Sequence, residues 1–102
     1  MADRIAVFDG HNDFLLRLLR DPARRKEIWL TGEGKGHLDL PRMKAGNLVG
    51  GFFAVYIASP PDPAMVDMDK AMENPPYDLP LPAPVPLSLA QPAAAAMIGH
   101  LM

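Results

Sequence analysis

The first apolar run of the chain, Arg4-Ile5-Ala6-Val7-Phe8, is short, partly β-branched and not alternating, and Asp9-Gly10 interrupts it. That pattern predicts a strand over 4–8, covered on both faces and ended by a turn. From Asn12 the period changes. Phe14, Leu15, Leu18 and Leu19 share one helical face, and Asn12 or Asp13 stands where a cap belongs, so a helix is expected over 12–20. Asp21-Pro22 stops it or opens a further short turn. Arg24, Arg25 and Lys26 read as solvated surface. Gly32-Glu33-Gly34-Lys35-Gly36 is a loop, and His37-Leu38-Asp39-Leu40-Pro41 leads into a short helical piece that Gly46-Asn47 ends. Leu48 to Ile57 is almost wholly apolar and predicts a second strand buried on both faces. Gly50-Gly51 near its start implies that a backbone or a ligand comes close there.

Two buried strands separated by helical material predict an α/β fold with a parallel, adjacent pair. After Ser59 the character changes, because ten of the twelve prolines lie from Pro60 onward. A helix is expected near 64–73, with Met65, Met68, Ala71 and Met72 on one face as core filler. Residues 74–87 hold too much proline for helix or central strand and should be extended. Residues 59–87 as a whole form a Pro-rich extended loop in this reading. A final Ala-rich helix runs from about Ser88, with Ser88 or Gln91 at its start, to the end.

Apolar residues make up 49% and charged residues 22% of the 102, the mix of a globular chain rather than a disordered one. A net charge of −2 gives no field to gather nucleic acid or anionic lipid. With no cysteine there is neither a disulfide framework nor a thiolate metal site. No apolar run approaches a membrane span, and MADRIAVFDG lacks a basic-then-apolar leader pattern, so a cytoplasmic protein without membrane contact is expected. The glycine-rich loop at 32–36 lacks the spacing of a phosphate cradle.

The chemistry concentrates in Asp9-Gly10-His11-Asn12-Asp13, directly after the first strand. If extended geometry persists, His11 and Asp13 point to the same side, and an imidazole and a carboxylate there can hold one divalent ion such as zinc. The bland alternative is a polar turn in which Asp13 caps the helix and His11 is merely exposed. Carboxyl ends of parallel strands are where α/β sites collect.

Three strings in order carry a resemblance: Asp9-Gly10-His11-Asn12-Asp13, then Gly36-His37-Leu38-Asp39-Leu40-Pro41-Arg42-Met43-Lys44-Ala45-Gly46, then Val49-Gly50-Gly51-Phe52-Phe53-Ala54-Val55-Tyr56. Over roughly residues 5–58 the chain resembles the N-terminal part of the membrane dipeptidase family of zinc metallopeptidases. The resemblance implies a (β/α)8 TIM-type barrel with two zinc ions at the carboxyl ends of its strands, dipeptide substrates, and His11 and Asp13 as ligands of one metal. It gives His37 a structural role, and His100 is read as a surface or partly packed helix residue. The bridging glutamate, the second-metal histidines and the proton-transfer carboxylate of that family have no counterpart here; Glu27, Glu33 and Glu73 do not follow strands. A barrel needs about 250 residues. The expectation is therefore that 1–102 is the N-terminal portion of a metallodipeptidase barrel, its opening βα units, incomplete and inactive alone. A homo-oligomer would bring several His11–Asp13 pairs together, and nothing in the sequence points to that symmetry. Two rival readings are a non-enzymatic Pro-rich interaction module built on Leu79–Pro86, and a nonfunctional gene remnant.

Overall fold

The structure, a computed structural model, describes residues 3–32, 34–60 and 67–102. Two strands, β1 (Val7–Asn12) and β2 (Leu48–Phe53), form a parallel two-stranded sheet. Between them run α1 (Phe14–Arg20), a 3₁₀ turn (Pro22–Arg24), α2 (Arg25–Leu30) and α3 (Leu40–Ala45). A short α4 (Met68–Ala71) and a long α5 (Leu87–Leu101) follow the sheet. The expected parallel, adjacent pair is present, though β2 ends at Phe53 rather than Ile57; the helix expected over 12–20 runs from Phe14 to Arg20, and the one expected from about Ser88 begins at Leu87.

The sheet is brought into register from outside its strands. Asn47, in the left-handed region at φ 55°, donates through Nδ2 to the carbonyl of Ile5 at 2.8 Å. Its own carbonyl accepts from the Val7 amide at 3.0 Å. Arg4 donates through Nη2 to the carbonyls of Lys44 and Ala45, the last of α3, where orphan helix carbonyls need partners. At the other end of α3, the buried Asp39 carboxylate accepts from the Arg42 amide at 2.9 Å and lies 3.0 Å from Arg42 Nε. This N-cap and ion pair fix where α3 begins.

The core lies between helices α1, α2 and α5. Phe14, Leu15 and Leu18 of α1 meet Ile28 of α2 and Met97 of α5, all buried. Leu16, Leu19, Trp29, Leu38 and Phe53 pack around them, and the Phe14 and Trp29 rings lie 5.3 Å apart. The helical face read from Phe14 to Leu19 is thus the face α1 buries.

Four expectations are corrected. First, β1 runs from Val7 to Asn12, so Asp9-Gly10 lies inside the strand and is not a terminating turn. An irregular register, described below, lets the pairing run through the glycine. Second, the strands are not covered on both faces. Val7, Phe8, Val49 and Phe52 are exposed, because among the described residues the sheet has two strands and no others flank them. Third, Ser88 and Gln91 do not begin the last helix. It starts at Leu87 behind Pro86, whose carbonyl accepts from the amides of Leu89 and Ala90, and it runs on through Pro92. Fourth, among the described residues between Ser59 and Pro86 regular helix is limited to α4, where the Asp67 carboxylate caps Asp69 and Lys70. Met68 and Met72 are exposed rather than core filler; residues 61–66, and with them Met65, lie outside the described residues.

The helix α2 was not foreseen. Its Ile28 and Trp29 carry too short a period to show against the basic run before them. Among the described residues, no helix is long and apolar enough to cross a membrane. The radius of gyration is 17.6 Å, against about 13 Å for a compact domain of this length, so the chain leaves much of its apolar surface uncovered.

Met97, with no exposed surface, and Leu15 anchor α5 and α1 to one another. Leu15→Ala or Met97→Ala should lower unfolding free energy by about 2–5 kcal/mol, whereas Leu81→Ala, at a residue 90% exposed, should change it by less than about 0.5 kcal/mol, both read by urea denaturation. At the head of α2, Arg24 donates to both Glu27 oxygens at 3.2 and 3.1 Å. That hydrogen bonding, and then the guanidinium charge, holds the Glu27 carboxyl below its usual range. A depressed carboxyl contributes stability above its unfolded-state pKa and loses it as pH falls through the folded value. A carboxyl-carbon NMR titration should therefore show Glu27 protonating at lower pH than in Arg24→Gln, with the difference shrinking in high salt.

Candidate metal centre

The end of β1 turns directly into α1, and the two candidate ligands flank that junction. His11 is the penultimate strand residue and Asp13 the residue before α1. His11 Nε2 lies 3.4 Å from Asp13 Oδ1, with the two side chains 67% and 56% exposed. Two donors on one tetrahedral ion, each about 2.0–2.2 Å from it, stand roughly 3.3–3.5 Å apart. The spacing and the donor types, imidazole nitrogen and carboxylate oxygen, therefore fit one shared divalent ion of the zinc type.

The bland alternative gave the Asp13 carboxylate to the helix as a cap. Asp13 occupies the N-cap position but makes no side-chain cap hydrogen bond. Instead Asn12 Oδ1 accepts from the Phe14 amide at 3.1 Å. Three residues before Asn12, Asp9 accepts from Asn12 Nδ2 at 2.9 Å and, through its other oxygen, from the His11 amide at 3.4 Å. Sequence reading picked out His11 and Asp13, and Asn12 as a candidate cap, but missed Asp9 and its bond to Asn12. Nothing in the spacing signals that bond, because residues three apart on a regular strand face opposite ways.

The two ligands alone do not close a site. Among the described residues, no group of three or more His, Cys, Asp or Glu side chains could hold a metal. His37 is exposed in the loop before α3. His100 is half-buried on α5, its Nδ1 accepting from Arg25 Nη1 at 2.8 Å. An apolar cavity of about 330 Å³ opens beside Phe14, Trp29, Met43 and His100, on the helical side, and does not include His11 or Asp13.

Comparison with known proteins gives the class to which this junction belongs. Residues 1–74 match the family Membrane dipeptidase (Peptidase family M19). A solved structure of dipeptidase AC, a metallopeptidase of family M19, superposes with a TM-score of 0.78 and 57% identity over 97% of this chain and 27% of that one. A metallopeptidase from Rhodobacter sphaeroides, solved with a phosphinate mimic of the dipeptide L-Ala-D-Ala, gives 0.79 and 58% over 97% of this chain and 28% of that one. A protein of Acinetobacter calcoaceticus known as "Uncharacterized protein in PQQ-III 3'region" is 43% identical over 54 residues, 52% of this chain and 17% of that protein. The chain belongs to the membrane dipeptidase family, M19. It spans about a quarter of the length of the two solved relatives.

The division of labour at the junction has a measurable consequence. Asn12→Ala should lower stability by about 1 kcal/mol through loss of the bond to the Phe14 amide. Asp13→Ala should leave stability almost unchanged, because its carboxylate caps nothing. Denaturant unfolding of the two variants side by side checks this.

Proposed function

We propose that residues 1–102 form the opening βα units of the (β/α)8 barrel of a zinc-dependent dipeptidase, with His11 and Asp13 as two ligands of one of its metals. The observation that carries the reading is the 3.4 Å convergence of His11 Nε2 and Asp13 Oδ1 at the carboxyl end of β1. Family membership supports the dipeptidase activity. The ligand seen in the Rhodobacter relative supports dipeptides, L-Ala-D-Ala among them, as the substrate class. Because the superposition covers 97% of the chain, the Pro-rich 59–87 segment is best read as part of that enzyme rather than a separate interaction module.

In this reading each residue of the chain has a limited task. The neutral His11 imidazole offers a nitrogen lone pair and Asp13 a negative oxygen, so the pair anchors a cation and partly offsets its charge. Bound zinc would supply a lowered water pKa and polarisation of the peptide carbonyl. The rigid strand behind His11 and the helix behind Asp13 restrict the movement of both donors, which is how a scaffold holds a reacting centre in place. The two protein ligands here are fewer than the three that an open catalytic zinc site takes. The bridging and second-metal ligands, and the carboxylate that moves a proton to the leaving amine, belong to later strands of the barrel.

The expected outcome is that the 102-residue chain alone, supplied with zinc, does not hydrolyse L-Ala-D-Ala, while a full-length barrel containing this segment does. In that barrel, His11→Ala or Asp13→Ala should lower kcat/KM by at least about a hundredfold. Amine release from the dipeptide is the assay. Zinc-dependent turnover by the 102-residue chain, abolished by His11→Ala, would overturn the account of the missing ligands.

A further inference from the structure

The pairing of β1 with β2 is irregular at two places. Val7 pairs with Leu48 and Phe8 with Gly50, so β2 carries one extra residue there. Asp9 pairs with Gly51 but Asn12 with Phe53, so three steps on β1 match two on β2 and the extra residue falls at Gly10-His11. An extra residue of this kind bends a strand and re-aims the side chains around it. Here it turns Asp9 and Asn12, which a regular strand would set on opposite faces, toward one another, and the 2.9 Å bond between their side chains closes the irregularity.

The opposite strand makes room for this arrangement. A Cβ on Gly51 would come within 3.0 Å of Asp9 Cβ, 3.3 Å of the Asp9 carbonyl oxygen and 3.6 Å of Asn12 Nδ2. Asn12 also has a second task. Its amide nitrogen donates to Asp9 while its oxygen takes the Phe14 amide at 3.1 Å. That leaves the Asp13 carboxylate outside the helix cap, where it meets His11.

We infer that Asp9 and Asn12, with Gly51 across the sheet, are the positioning residues of the His11–Asp13 pair, and that the extra residue they lock in β1 is what brings the two donors to the separation of a shared ion. The inference rests on the reading of His11 and Asp13 as ligands of one metal. Asp9 acts through the backbone of His11 and the side chain of Asn12.

The test uses the purified chain, Zn²⁺ alone as probe, and three readouts: the imidazole ¹⁵N shifts of His11 during titration, the nuclear Overhauser effect between the His11 ring and the Asp13 β-protons without metal, and Trp29 emission as a monitor of the core. Asp9→Ala and Gly51→Ala should each weaken Zn²⁺ binding at His11 by about tenfold or more, the size of effect that removal of an orienting partner produces. Both should lose the Overhauser contact and keep the Trp29 emission. Asp9→Asn, which keeps one acceptor for Asn12 Nδ2, should recover binding to within about threefold. Should Asp9→Ala disturb the Trp29 emission, Asn12→Ser replaces it, since a serine oxygen can still take the Phe14 amide but cannot donate across to Asp9. Unchanged Zn²⁺ affinity in these variants overturns the positioning role. A wild-type chain whose His11 does not respond to Zn²⁺ overturns the ligand reading instead. In that event the metal-free Overhauser contact decides the positioning role, which falls if the contact persists in Asp9→Ala.

Discussion

Everything in this chain is arranged around one non-local contact, the parallel pairing of β1 and β2. Closing a loop of some forty residues to bring two strands side by side costs entropy before any ladder bond forms. Asn47 and Arg4 offset that cost by tying the segment before β1 to the end of α3. Asn47 adopts a left-handed conformation that aims its amide at the Ile5 carbonyl and its own carbonyl at Val7. Arg4 takes the last carbonyls of α3 in the same movement. With the two strands fixed at that end, the opposite end, where β1 passes into α1, is fixed as well.

The junction at that far end divides its polar groups by function. Asn12 closes the strand irregularity and the helix start together, Asp9 steadies the His11 backbone, and the two remaining donors, His11 and Asp13, face each other in the open. An exposed histidine–aspartate pair contributes little to stability by itself. Its presence on a scaffold held by three other polar contacts makes sense if the pair works on something outside the chain, which agrees with membership of a metallopeptidase family.

Much of this was legible in the residues and some was not, for physical reasons. The face of α1 from Phe14 to Leu19, the apolar run at Leu48 and the stop at Gly46-Asn47 are local signals, and the structure follows them. His11 and Asp13 could be singled out because a two-residue spacing is meaningful on a strand. The end of β1 could not, because Asp9-Gly10 has turn chemistry and only pairing with Gly51 on the other strand draws it into the sheet. Gly50-Gly51 announced a close approach but not by what: the Phe8 ring comes against Gly50, 2.9 Å from where its Cβ would be, and Asp9 against Gly51. Burial of the strands was overread, since coverage depends on neighbours that a run of apolar letters cannot supply. Asn12 was visible as a cap for α1, but its partnership with Asp9 was not, because that exists only once the register slips.

The stretch from Pro80 to Pro86 has prolines at every second position, 80, 82, 84 and 86, in an extended segment without helix or strand. In extended backbone, alternate amides point to the same side, so one edge of this stretch has no N–H donor at all. A neighbouring strand can bond to its other edge, but a third cannot then add on the proline side. The two-stranded sheet of this chain presents free edges of its own, and unpaired backbone groups on an edge are what invite pairing with another chain. A stretch with prolines at alternate positions caps the edge of any sheet it joins, one of the ways a chain limits such pairing.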